Sequence, residues 1–301
     1  MFLLALACTD SPVDTAALEL AESYTLSADV DFPEGLAWHP EQRAFYISSL
    51  GHGGLTRVDL DGTETRVYQP AGENWTSLGG KLGEDGSLYF CGVQDAGTEQ
   101  AAGELWIHDP VTQDTTTVAL QGVANCNDVA IDGRQVFLSD RESARMHRVD
   151  LETMESEIFL EDPLMEPGLI GNNGLVLTED GALILGQYSP PKLIRIPLEN
   201  REAISEIPLD GDEIGSLPDG ADGIAWFDGE LVIAANKRVA VVSSSDNWQS
   251  GTVRAKDLDV GIAAVTVVEG QVYALKGEVV PWVLGLEPEL PFQILRLELP
   301  Q

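Results

Sequence analysis

The chain is poor in positive charge. Its 301 residues hold 17 Lys and Arg against 50 Asp and Glu, a formal net charge of −33 at pH 7. Nucleic acid and anionic membrane surfaces both demand a basic footprint, so neither is an expected partner. Such acidity favours solubility and attracts cations; it also suits a protein from a salty or acidic milieu. Histidine is scarce, at four, and cysteine scarcer, at three. No C-x-x-C pair occurs, which removes the common zinc and redox spacings. No G-x-S-x-G elbow occurs, so serine-hydrolase chemistry has no seat. No apolar run approaches the ~20 residues of a spanning helix. Helical periodicity is nearly absent too, with Ala16–Ser23 the one short candidate.

The first eight residues, M-F-L-L-A-L-A-C, are apolar and end in Cys8. They look like the tail of a bacterial lipoprotein signal, with Cys8 as the lipidated residue and residues 9–22 as a tether. No basic stretch precedes the apolar run and Ala5 stands where leucine is expected, so a start codon placed too late is part of this reading. It puts the protein in the cell envelope, periplasmic or outer-surface, touching membrane only through the lipid. Cys91 and Cys126 then either pair, as export allows, or stay as buried thiols.

What the chain does have is a repeat. The stretch from Phe32 to Ser48 reads as a short apolar strand opened by Glu34, a polar turn and a second apolar strand. The pattern returns as N-D-V-A-I-D-G-R-Q-V-F-L-S from Asn127, N-G-L-V-L-T-E-D-G-A-L-I-L from Asn173 and D-G-I-A-W-F-D-G-E-L-V-I-A from Asp222. Weaker copies begin near Ser77 and Gly261. Starts at 34, 77, 127, 173, 222 and 261 lie 43, 50, 46, 49 and 39 residues apart, the period of propeller blades. Each copy runs on into a third and often a fourth strand, such as 55–60 and 63–68 in blade one or 192–198 and 204–209 in blade four. Blade six runs out after 293–299, and the segment 22–26 supplies its missing strand, protecting the sheet edge. The expectation is an all-β, six-bladed β-propeller over 23–301, acting as a monomer.

In a propeller, the residues that open the innermost strands crowd one rim of the central channel. Glu34, Asn127, Asn173 and Asp222 hold that position in blades one, three, four and five. Two carboxylates and two amide oxygens are hard ligands suited to Ca²⁺, Mg²⁺ or Mn²⁺, whereas zinc favours His or Cys. The competing explanation is that Asx before Gly is ordinary turn chemistry. Asp128 is a further ligand or a support behind Asn127, and Asp219, in L-P-D-G, competes with Asp222. The histidines (His39, His52, His108 and His147) lie on outer strands or loops, and only His52 has a loop able to reach a rim. The run V-V-P-W-V-L-G-L at 279–286 is read as a lid, a partner patch or an odd strand.

The motifs E-G-L-A-W, N-D-V, N-G-L and P-D-G-A-D-G-I-A-W, in this order, resemble the senescence marker protein/gluconolactonase family (luciferin-regenerating enzyme-like). They are similar also to the related paraoxonases and strictosidine synthases. The resemblance covers nearly everything after residue 30. It implies one divalent cation on the channel axis, Ca²⁺ foremost with Zn²⁺ also used, and hydrolysis of a small-molecule lactone or ester. Glu34, Asn173 and Asp222 would be metal ligands, Asn127 would bind metal or substrate, and Asp222 would double as general base. Two positions depart from the pattern. Asn125 stands where gluconolactonase-type members carry a substrate-gripping Arg, leaving Asn125 as the substrate-binding candidate there. The blade-two stretch N-W-T-S-L-G-G lacks the paraoxonase His. The alternative function is a non-catalytic binding propeller that keeps the metal for structure.

Overall fold

Strands make up nearly all the regular structure of the computed structural model, which describes residues 19–122, 124–168, 170–215 and 219–301. Cys8, its apolar leader and the tether up to residue 18 lie outside the described residues. The sheets follow the repeat. Blades one to four begin with innermost strands Pro33–His39, Trp75–Leu82, Cys126–Asp132 and Asn172–Leu177. Blades five and six begin with Ile224–Phe227 and Ala264–Val268. Within each blade successive strands pair antiparallel, outward from the axis.

The ring closes as the sequence predicts. Ser23–Leu26 pairs antiparallel with Phe292–Arg296, Tyr24 opposite Ile294, and becomes the outermost strand of blade six. Residues 19–22, within the Ala16–Ser23 candidate, form no helix. Tyrosine hydroxyls hold that backbone instead: the Ala21 N–H donates to Tyr24 Oη at 3.0 Å, and Tyr273 Oη donates to the Ala21 carbonyl at 2.8 Å. Among the described residues no helix is long and apolar enough to cross a membrane.

Alternation along the strands buries apolar side chains against both neighbouring blades, so the core is a ring of clusters. Leu36, Phe45 and Ile47 of blade one meet Tyr273, Leu275 and Ile294 of blade six. Comparable clusters fill the junctions of blades three with four, four with five, and five with six. Tyr46 and Leu55 meet Phe90 and Trp106 between blades one and two.

Two expectations are corrected. The outer strand expected at 204–209 is only Ser205–Glu206, paired to Lys192–Pro197. Pro208 has no N–H to continue the ladder; its carbonyl instead accepts from Gly251, and Leu209–Gly211 crosses to run parallel to Gly251–Ile262 in blade five. In the apolar run at 279–286, Val279–Val283 is a single short helix. Val283, Leu284, Leu286 and Leu290 are exposed along and after it.

Cys91 and Cys126 are joined in a disulfide, their Cα atoms 5.9 Å apart. It links the second strand of blade two to the residue preceding Asn127, and both cysteines are fully buried. Replacing both by alanine is expected to lower the unfolding free energy by about 2–4 kcal/mol, read as a lower guanidinium midpoint. An unchanged midpoint, with or without reductant, would show that the bridge carries no stability.

Candidate functional site

The ring residues are aimed at the axis by irregularities in the innermost strands. Register shifts fall between Pro33 and Leu36, Cys126 and Val129, and Asn172 and Leu175, each bracketing a predicted site residue. A bulge bends the strand and re-aims a side chain. The freed N–H groups find hydroxyls: Gly35 N–H donates to Ser48 Oγ at 2.7 Å and Asp128 N–H to Ser139 Oγ at 3.0 Å. Ser139 Oγ in turn donates to the Asn173 carbonyl at 2.7 Å, tying blade three to blade four. Asp222 sits just before its strand, its N–H on the Ala234 carbonyl at 2.9 Å.

The glycines after Glu34, Asn173 and Asp222 are not turn glycines. None of the three has the positive φ that turn chemistry exploits. A Cβ at Gly35 would lie 2.5 Å from the Leu78 carbonyl, at Gly174 2.0 Å from the Asp222 carbonyl, and at Gly223 2.8 Å from Ala264 Cα. They are there because neighbouring backbones almost touch around the axis. Blade two joins the ring differently. Leu78 holds the register of Glu34, and Gly79 leaves room for Asp128, whose Oδ1 would lie 2.4 Å from a Cβ there.

Glu34, Asn127 and Asn173 line one small space on the axis together with Asp128 and Lys81. Asp222, on whose carboxyl the Asn173 side chain acts, lines the neighbouring cleft. All four predicted ring residues are about 95% buried or more. Glu34 Oε2 and Asn173 Oδ1 are buried with no hydrogen-bond partner. Burial pushes the Glu34 carboxyl well above its ordinary 4.5, the charges of Asp222 and Asp128 push further, and Arg141 and Lys81 pull back. Burial likewise drives Asp222 well above 3.8, with Asp128 and Asp219 adding to it and the Asn173 hydrogen bond opposing.

This donor set fits a hard cation. Two buried acceptors without donors beside a second buried carboxylate, with two amide oxygens in reach of the same space, are costly in a protein interior unless positive charge serves them. Among the described residues no three His, Cys, Asp or Glu side chains gather as a metal site. A cation there would therefore need the amides of Asn127 and Asn173 as well as the carboxylates.

The other sequence candidates have different employment. Asp128 braces three blades. Lys81 Nζ donates to its two oxygens at 3.1 and 2.9 Å, Val129 N–H to Oδ1 at 2.9 Å, and Leu175 N–H to Oδ2 at 2.9 Å. Asp219 stands outside the ring, accepting from Tyr188 Oη at 3.1 Å and Asn236 Nδ2 at 3.0 Å on the cleft wall. Asn125 Oδ1 accepts the Gly97 N–H at 2.9 Å, and Asn125 lines neither the axial space nor the cleft. Its carbonyl accepts the N–H of Arg141, a residue that sequence reasoning passed over. His147 is buried in blade three with Nε2 3.3 Å from Asp140 Oδ2, and His108 Nδ1 lies 3.0 Å from Thr115 Oγ1. His52 serves its own loop: Nδ1 accepts the Gly54 N–H, and burial with Arg66 nearby lowers its pKa to about 4.

No protein-family model and no curated protein matches the chain. Solved structures do. The allergen Mala s 1 of Malassezia sympodialis superposes with a TM-score of 0.76 at 14% identity, over 93% of this chain and 97% of that one. A gluconolactonase from Xanthomonas campestris gives 0.64 at 14%, over 95% and 93%. Virginiamycin B lyase from Staphylococcus aureus gives 0.58 at 11%, over 92% and 98%. Structural neighbours of the chain thus include gluconolactonase-like propellers and lyase and sugar dehydrogenase propellers, and at these identities what is shared is the fold.

The raised carboxyls set a sign for stability. Between the ordinary values of 4.5 and 3.8 and the higher folded ones, the folded protein holds more protons than the unfolded chain. Stability from these groups is therefore complete at acidic pH and is lost as pH rises through that window. Chelator-treated protein should show a urea midpoint that falls from mildly acidic to neutral buffer, and Glu34→Gln with Asp222→Asn should flatten the slope. A midpoint that rises with pH in both proteins would contradict the buried-carboxylate geometry.

Proposed function

We propose that the chain is a divalent-cation-dependent hydrolase of a lactone or ester, working where the axial ring opens into the cleft beside Asp222. The observation that carries this is the pair of unpartnered buried oxygens, Glu34 Oε2 and Asn173 Oδ1, at the ring that also holds Asn127 and Asp222. The gluconolactonase among the structural neighbours supports the choice of reaction. Glu34, Asn127, Asn173 and Asp222 would hold the cation. Oxygen-only donors favour Ca²⁺, with Mg²⁺ and Mn²⁺ behind it and Zn²⁺ less suited. When bound, the cation supplies the charge that polarises an acyl carbonyl and acidifies a water.

The chain's own groups do the rest. Asp222 belongs to both the ring and the cleft lining, so it is the carboxylate placed to take a proton from an attacking water. Lys81 and Asp128 keep the blade-two and blade-three side of the ring rigid. Tyr188 and Asn236, both held by Asp219, form the cleft wall next to Asp222. The disulfide agrees with an oxidising compartment, and hence with the cell-envelope reading and a lipid anchor at Cys8. A second reading, a binding propeller with a structural cation, draws on the exposed apolar residues Val283, Leu284, Leu286 and Leu290.

The test is calorimetric titration of Ca²⁺, Mn²⁺ and Zn²⁺ into metal-stripped protein, wild type beside Glu34→Ala and Asp222→Ala, with a lactone and aryl-ester hydrolysis panel. One-to-one binding lost in both variants, with cation-dependent turnover, is the expected result. Binding without turnover would favour the second reading, and no binding would remove the cation from both.

A further inference from the structure

The channel has a second mouth. The ring residues stand at or just before the starts of the innermost strands. The ends of three of those strands, in blades six, one and two, surround a pocket of about 430 Å³ at the other end of the channel. Trp38 and Pro40 wall it from blade one, Leu82 from blade two and Val267 from blade six. Its polar lining is short: Lys81, Thr266 and Glu269.

Both charges are already met. Lys81 lines this pocket and the axial space alike, and its ammonium is committed to Asp128, at 3.1 and 2.9 Å, on the axial side. What Lys81 leaves to the pocket is its alkyl stem. Glu269 meets Arg43 at 2.6 Å, joining blades six and one at the surface. The pocket is thus apolar and without a free cation, in a chain of net charge −33.

One donor interrupts the apolar wall. Trp38 is 6% exposed, and its ring packs on Phe45 with centroids 4.8 Å apart. Its Nε1–H is buried and finds no acceptor among the described residues. The next residue shows the contrast. His39 has both ring nitrogens engaged, Nε2 at 3.1 Å from the Gly86 carbonyl and Nδ1 accepting the Gln42 N–H at 3.2 Å. A buried donor left unmet costs free energy that an arriving acceptor recovers.

From the pocket and its unmet donor we infer that this second mouth binds an uncharged, largely apolar small molecule carrying one carbonyl, whose oxygen accepts from Trp38 Nε1. The volume suits a small fused-ring compound. A carboxylate is disfavoured, because the lining's cation already serves Asp128 and the field of the whole chain is negative. A plain hydrocarbon is disfavoured too, since it would cover the donor without meeting it. The site lies at the far end of the channel from Asp222 and does not rest on the hydrolase reading.

Indanone, indane and indane carboxylate share one ring system and differ in the acceptor. Each is titrated into nitrogen-15-labelled protein, followed through the indole N–H resonances of the six tryptophans. Trp38→Phe keeps an aromatic ring and deletes the donor, so the resonance it removes is that of Trp38. Indanone should move that resonance downfield and saturate, with indane and the carboxylate weaker by on the order of fivefold or more. In Trp38→Phe, ligand-observed NMR should find indanone no tighter than indane. Val267→Phe, which fills the pocket from blade six, should abolish indanone binding. It also decides the matter where Trp38→Phe does not fold, since indanone binding that survives it overturns the inference. Indane or the carboxylate binding as tightly as indanone, no saturable binding, or a shift that spares the Trp38 resonance overturns it equally.

Discussion

Six innermost strands converge on one axis, and the closeness of their backbones is the constraint on which the rest of the structure depends. Beyond Glu34, Asn173 and Asp222 only glycine fits, because a neighbouring carbonyl or Cα occupies the place of a Cβ. The same crowding forces the strands to bulge where they pass the axis, and a bulge points one side chain inward. Close packing also keeps bulk water from the carboxylates, which is why burial heads the causes that raise both acids. Sterics, aim and electrostatics at the channel have a single origin.

Asp128 shows how such a centre is kept from falling apart. A carboxylate 2% exposed beside two others would ordinarily be a liability. Here its two oxygens serve an ammonium from blade two and backbone N–H groups from blades three and four. Lys81 thus carries a fixed positive charge to one side of the axis, where it and Arg141 act on Glu34, while the charges acting on Asp222 are those of Asp128 and Asp219. The asymmetry gives the ring a direction, and it is the direction in which the cleft opens.

Much of this was legible in the sequence because the repeat is strong. The spacing of the six starts fixed the blades, and the strand pattern at 22–26, ahead of the first repeat, marked the strand that closes blade six. The four oxygen-bearing residues stood out because they recur in register. What stayed hidden depends on contacts between repeats. Ser48 and Ser139 read as ordinary strand-end serines until their hydroxyls are seen on bulged N–H groups. Gly79 looked like a weak copy of the motif, yet it makes room for the side chain of Asp128. The N-G and D-G pairs invited a turn reading that only backbone angles dismiss. The choice between Asp219 and Asp222 turned on three residues' difference, and only the hydrogen bonds to Tyr188 and Asn236 separate their work.

The strand that closes blade six has a consequence for how the centre comes into being. Ser23–Leu26 leaves the ribosome before every other described strand of the six blades, while its partner Phe292–Arg296 leaves after them all. Domains tend to fold as units during synthesis, and here the unit cannot be finished until both have emerged. Until then blade one, which carries Glu34, has no blade six to pack against, and the arc holding Asn127, Asn173 and Asp222 remains open. The axial ring is thus completed only when the last strand meets the first.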